Sequence, residues 1–166
     1  MKTWMLAAML FLASLPALAR APADPDEAGI RQVIERFRTA IIERDKPRFL
    51  ALFLEGGVSW QPTLSDEGLS RIREKNPKAI KLRVNPANNP TSFIDEVVAD
   101  KASSEETFDN IRIDSDGDVA AVTFDYRFLS DGKETNHGKE AWQLIRTAEG
   151  WRIVSVIWSV NLPPKS

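Results

Sequence analysis

Gly150-Trp151-Arg152-Ile153-Val154-Ser155-Val156-Ile157-Trp158-Ser159-Val160 sets β-branched and aromatic residues behind a glycine, the composition of a buried strand. Working back from it, Asp116-Gly117, Asp131-Gly132 and Glu149-Gly150 mark three tight reversals, as expected for hairpin turns. Glu106 to Leu162 therefore reads as four consecutive antiparallel strands. A helical half precedes them, and helices followed by a run of strands imply an α+β domain.

In that first half, Asp24 suits a helix cap, Pro25 the first helical position, and Glu27 follows three residues after the cap. Ile30, Val33, Ile34, Phe37 and Ile41 recur at helical spacing on one face. Asp45-Lys46-Pro47 closes that helix and opens another, whose buried side is Phe49, Leu50, Leu52 and Phe53. Gly56-Gly57 breaks it, and Val58-Ser59-Trp60-Gln61 reads as a short strand stopped by Pro62. Across residues 62–90, Leu69 and Ile72 suggest a short helix ending at Asn76-Pro77. The rest of that stretch is loop-like, either a functional lid or an ornament. A third substantial helix runs from Thr91 or Ser92 to about Ala102, with Phe93, Ile94, Val97 and Val98 facing inward.

The ends and the composition bound the function. Lys2, the apolar run Trp4 to Leu15 and the small-x-small Ala17-Leu18-Ala19 describe a signal peptide over residues 1–19. The apolar run is about a dozen residues, short of the roughly 20 that a spanning helix needs. Residues 20–26 then form a leader, 27–162 one domain and 163–166 a tail, and the expected location is periplasmic or secreted. The chain has no cysteine, which excludes disulfides, thiolate chemistry and cysteine-ligated zinc. With 22 basic and 24 acidic residues it carries no electrostatic footprint for nucleic acid or an anionic membrane. Asp114, Asp116 and Asp118 do not make a calcium loop, because Gly117 comes too early and no closing glutamate follows at the right distance. No metal or cofactor is expected.

Placing Asp131-Gly132 at the centre of a two-residue turn pairs Tyr126 with His137, Phe124 with Lys139 and Val122 with Ala141. The same treatment of Glu149-Gly150 pairs Ala141 with Trp158 and Gln143 with Val156. The face expected to pack on the helices then holds Phe124, Tyr126, Phe128, His137, Gln143, Val156 and Trp158. The opposite face holds Asp125, Glu140, Trp142, Ile153 and Ile157. Trp142, Ile153 and Ile157 make an apolar patch there, so a second copy of the chain is expected to cover it as a homodimer. Tyr126 and His137, the only tyrosine and the only histidine, are the candidate proton-transfer pair. The plainer reading of the two is a polar cross-strand pair near a hairpin end.

The order of helices, the short strand Val58-Ser59-Trp60, Asp45 between the first two helices and the closing Gly150-Trp151-Arg152-Ile153 resemble the nuclear transport factor 2-like (NTF2-like) superfamily, in its SnoaL-like bacterial branch. The resemblance implies a cone in which N-terminal helices pack on a strongly curved antiparallel sheet around a cavity. Relatives of the ketosteroid isomerase type use a first-helix tyrosine and a first-strand aspartate. The matching positions here are Phe37 and Gln61, which can supply neither an oxyanion donor of that kind nor a carboxylate base. Histidines that many relatives carry in the last strand are replaced by Ser155 and Ile157. The expected pocket lining is Phe37, Trp60, Gln61, Phe124, Tyr126, His137, Gln143 and Trp158. The function expected from this is binding of a small apolar or amphipathic ligand without chemistry. The alternatives are a small lyase or isomerase working through Tyr126 and His137, and a structural or interaction domain with a filled cavity.

Overall fold

The structure, a computed structural model, describes residues 25–164. The signal peptide expected over residues 1–19, residues 20–24 of the leader, the expected Asp24 cap and the last two residues lie outside the described residues. Helix α1 (Pro25–Glu43) leads to α2 (Lys46–Leu50), β1 (Ser59–Leu64), α3 (Asp66–Arg73) and α4 (Pro90–Ala99). The meander follows as β2 (Ser104–Ser115), β3 (Val119–Ser130), β4 (Lys133–Thr147) and β5 (Gly150–Val160).

Local chemistry accounts for the helix starts. The Asp45 side chain accepts from the Arg48 N–H at 2.9 Å and caps α2. Asn89 and Ser92 form a reciprocal capping box at α4, with Pro90 just inside the first turn. Every residue of the α1 stripe expected to face inward is buried: Ile30, Val33, Ile34, Phe37 and Ile41.

The sheet is open and mixed, in the order β1-β5-β4-β3-β2. Its four long strands are antiparallel, as expected, and β1 adds to β5 in parallel. Pro62 does not stop β1, which continues to Leu64. Proline is tolerated there because β1 is an edge strand with a single ladder partner. The free side of β1 is covered by the following loop, since Leu64 N–H donates to the Lys81 carbonyl at 3.0 Å.

Two one-residue bulges change the expected register. Tyr126 pairs with Gly138 and Arg127 with His137, because Thr135 is an extra residue between the pairs Leu129–Glu134 and Phe128–Asn136. Side chains alternate with a period of two, so this slip turns β4 over beyond the turn. In the last hairpin Thr147 pairs with Gly150, placing Ala148 and Glu149 at its centre rather than Glu149 and Gly150. A bulge at Val154 then restores Val156 and Trp158 to the inner face and brings Ile153 there too.

Trp142 and Glu140 therefore point inward. Trp142 is 1% exposed and packs against Phe37 and Phe124, with ring centroids 4.8 Å and 5.0 Å away. Phe37 also packs on Phe49 at 4.8 Å, so one aromatic cluster ties α1, α2, β3 and β4 together. Gly138 sits where β4 and the end of β5 meet. A Cβ there would fall 2.0 Å from the Ser159 carbonyl oxygen, so only glycine permits this approach.

Candidate functional site: a cavity with a buried carboxyl pair

Between α4 and the inner face of the sheet lies a cavity of about 420 Å³. Its walls are mainly aromatic: Phe37, Trp60, Phe93, Tyr126, Phe128 and Trp158. Trp60 anchors this wall, 5.1 Å from Trp158 and 5.4 Å from Phe93 between ring centroids. On the sheet side the polar lining comes from β2 and β4, where Ser104, Glu106, Asn136 and Glu140 project inward by strand alternation, and Asn88, Glu96 and Asp100 line the helix side.

Glu106 and Glu140 are 5% and 4% exposed, an unusual depth for acids. They hydrogen-bond to each other, and Trp142 Nε1–H donates to Glu140 Oε1 at 2.5 Å. Among the described residues, no lysine, arginine or histidine makes an ion pair with either. Burial pushes Glu106 well above the usual carboxyl range, and the charge and hydrogen bond of Glu140 push it further. Burial also raises Glu140, to about 7, against the opposing pull of the Trp142 and Glu106 hydrogen bonds. Burial thus favours a pair that holds a proton between its two carboxyls over a pair of bare carboxylates, and the Trp142 indole N–H stabilises the remaining charge. Such a pair presents a donor and an acceptor side by side.

Tyr126 is 3% exposed, and its hydroxyl lies 2.8 Å from Asn136 Oδ1 and 3.0 Å from the Ser159 carbonyl. Burial, and then the Glu106 and Glu140 charges, raise its pKa. It is an engaged donor and not a base.

Of the residues expected in the pocket, Phe37, Trp60, Tyr126 and Trp158 line the cavity. Phe124 is fully buried in the aromatic core beside it. Gln61 is turned away, donating to the carbonyls of Pro62 and Arg83. Gln143 is exposed on the outer face. His137 is also on the outer face, where Nδ1 lies 2.8 Å from Glu134 Oε1, so the Tyr126–His137 pair does not form. Trp142 and Ile153, expected in an outward apolar patch with Ile157, are 1% and 0% exposed in the core. Only Ile157, at 50%, faces out.

Glu106 and Glu140 were not among the expected site residues. A signal for Glu140 was present: a tryptophan prefers the core, and period two carries Glu140 inward with Trp142. A wider surface cleft of about 1110 Å³ lies between residues 50–61 and 84–95, and its two acids, Glu55 and Asp95, are exposed. It offers no buried titratable group, so the cavity between α4 and the sheet is the better candidate.

No protein-family profile matches the chain, and no curated protein matches it. Solved structures do. An NTF2-like protein with a cystatin-like fold from Novosphingobium aromaticivorans superposes with a TM-score of 0.56 at 17% identity, covering 81% of each chain. The chain has the NTF2-like fold. A provisionally named dehydratase of the NTF2-like family from Streptomyces avermitilis matches with a TM-score of 0.58 at 16% identity, over 82% of this chain and 96% of its own. A provisionally named aromatic ring hydroxylase from N. aromaticivorans matches with a TM-score of 0.58 at 19% identity, over 87% and 94%. Within this fold, the carboxyl pair on β2 and β4 lies in the cavity, which Phe37 also lines and from which Gln61 is turned away.

Proposed function

We propose that this NTF2-like domain binds a small amphipathic molecule inside the cone. The observation that carries the reading is the pairing of an aromatic wall with a buried carboxyl pair in one 420 Å³ cavity. Binding sites for small molecules are typically apolar hollows with a few convergent polar groups. Trp60, Trp158 and Phe93 would hold the apolar body, and Glu106 and Glu140 the polar end.

A second reading, a small lyase or isomerase, is favoured by the same pair. Two buried carboxyl groups that share a proton, both raised above the ordinary carboxyl range, are suited to proton transfer. Glu106 and Glu140 then take the role expected of Tyr126 and His137. Two structural neighbours that bear the names of a dehydratase and a hydroxylase are compatible with it.

Native mass spectrometry and calorimetry against a panel of small amphipathic compounds test the binding reading. The expected result is 1:1 saturable binding that Trp158→Ala weakens by at least about tenfold. Trp158 is only half-buried at the cavity wall, so that variant should still fold. A panel without a saturable binder would overturn the reading.

Export belongs to the proposal as well, resting on the Lys2 start, the apolar run and the Ala17-Leu18-Ala19 site. Mass spectrometry of protein recovered from outside the cytoplasm is expected to find a chain beginning at Arg20. An intact Met1 start on the recovered protein would contradict it.

A further inference from the structure

The cavity is acidic throughout. Glu96 on α4 and Asp100 just past its end stand at its rim, Glu106 and Glu140 lie inside, and no lysine, arginine or histidine is among the lining residues. The inner acids are uncompensated: the donors that reach them are the indole N–H of Trp142 and the proton they share. A buried carboxylate without a cation is costly, and a ligand that brings a positive charge relieves that cost. The surrounding rings act in the same direction. Trp60, Phe93, Phe128 and Trp158 present π-faces and edges around the space, with centroid separations of 5.1 to 6.0 Å. Aromatic cages of this kind attract ammonium groups, most strongly where water is excluded.

From these observations we propose that the ligand is a cation, a small organic amine whose ammonium group sits against the Glu106–Glu140 pair while its apolar part lies between Trp60, Trp158 and Phe93. This rests on the reading of the cavity as a ligand site and names the charge class it selects. The rim acids Glu96 and Asp100, both exposed, add attraction on the way in. A carboxylate ligand meets repulsion from the rim acids and from the charge on the Glu106–Glu140 pair. A neutral alcohol gains the apolar contacts but leaves the pair without its counter-charge.

Matched probes separate the possibilities. Calorimetry at pH 8 would compare 2-phenylethylamine, 2-phenylethanol and phenylacetate, together with octylamine, octan-1-ol and octanoate. The expected result is that at least one amine binds about tenfold or more tightly than its alcohol, the strength of a desolvated cation–π and charge contact. The matching acid should show no measurable binding. Glu140→Gln should erase most of the difference between amine and alcohol. Alcohols that bind as tightly as the amines would overturn the inference yet leave the ligand site standing. So would an amine preference unchanged in Glu140→Gln. Should no compound in either series bind, the inference and the reading of the cavity as a ligand site would both fall.

Discussion

Trp142→Ala is expected to destabilise the fold by about 3–5 kcal/mol, the range for removing a fully buried large aromatic side chain. Its ring is 1% exposed and touches Phe37, Phe124 and Phe108, so the neighbours that would have to collapse into the void are already interlocked. The substitution also removes the donor to Glu140. Trp142→Phe, which keeps most of the volume but not the N–H, should cost less, about 1–2 kcal/mol. Trp158→Ala serves as a contrast, because half of that ring faces the cavity and its loss should weaken binding more than folding. Urea denaturation of the variants checks the order. A loss below about 1 kcal/mol for Trp142→Ala would return that residue to the outer face and undo the bulge at Thr135.

The second large effect is in the pH dependence of stability. Glu140 is raised in the folded state from 4.5 to about 7 and Glu106 is raised well above its ordinary value, so the folded chain holds more protons than the unfolded one across that window. Stability then falls as pH rises, from full strength below about pH 4.5 to its loss through pH 7 and above. The difference for Glu140 alone is on the order of 3 kcal/mol. The lowered acids Asp66, Asp116 and Asp125 act in the opposite sense, but they titrate at or below 3.8 and leave this window clear. Glu140→Gln should flatten the profile between pH 5 and 8 and be the more stable protein at pH 8. Parallel profiles for the two proteins over that range would mean that Glu140 is ionised and solvated.

The α1 stripe, the α2 cap at Asp45, the α4 segment and the four-strand meander were legible because each depends on local chemistry: periodicity, capping and turn residues. The site was half legible. Phe37, Trp60, Tyr126 and Trp158 line the cavity, Tyr126 and Trp158 because β3 and the far half of β5 carry the expected phase. Apart from Gln61 on β1, the misplaced site residues sit on β4 or depend on it. One extra residue at Thr135 turned over His137, Glu140, Trp142 and Gln143 together, which created a false Tyr126–His137 pair and hid the true carboxyl pair. Turn residues set the register only at the start of a hairpin, and a bulge further along leaves no comparable signature in composition. The parallel addition of β1 was missed for a related reason: Pro62 reads as a stop, and the edge position that tolerates it is a tertiary fact.

The central claim is that Glu106 and Glu140 share a proton inside the cavity. Carbon-13 NMR titration of the glutamate side-chain carboxyls, assigned through Glu106→Gln and Glu140→Gln, measures it directly. The expected outcome is one carboxyl titrating at about 7 and its partner retaining its proton above the ordinary range, with each shifting when the other is replaced. Two independent transitions near 4.5, indifferent to each other's substitution, would contradict the account.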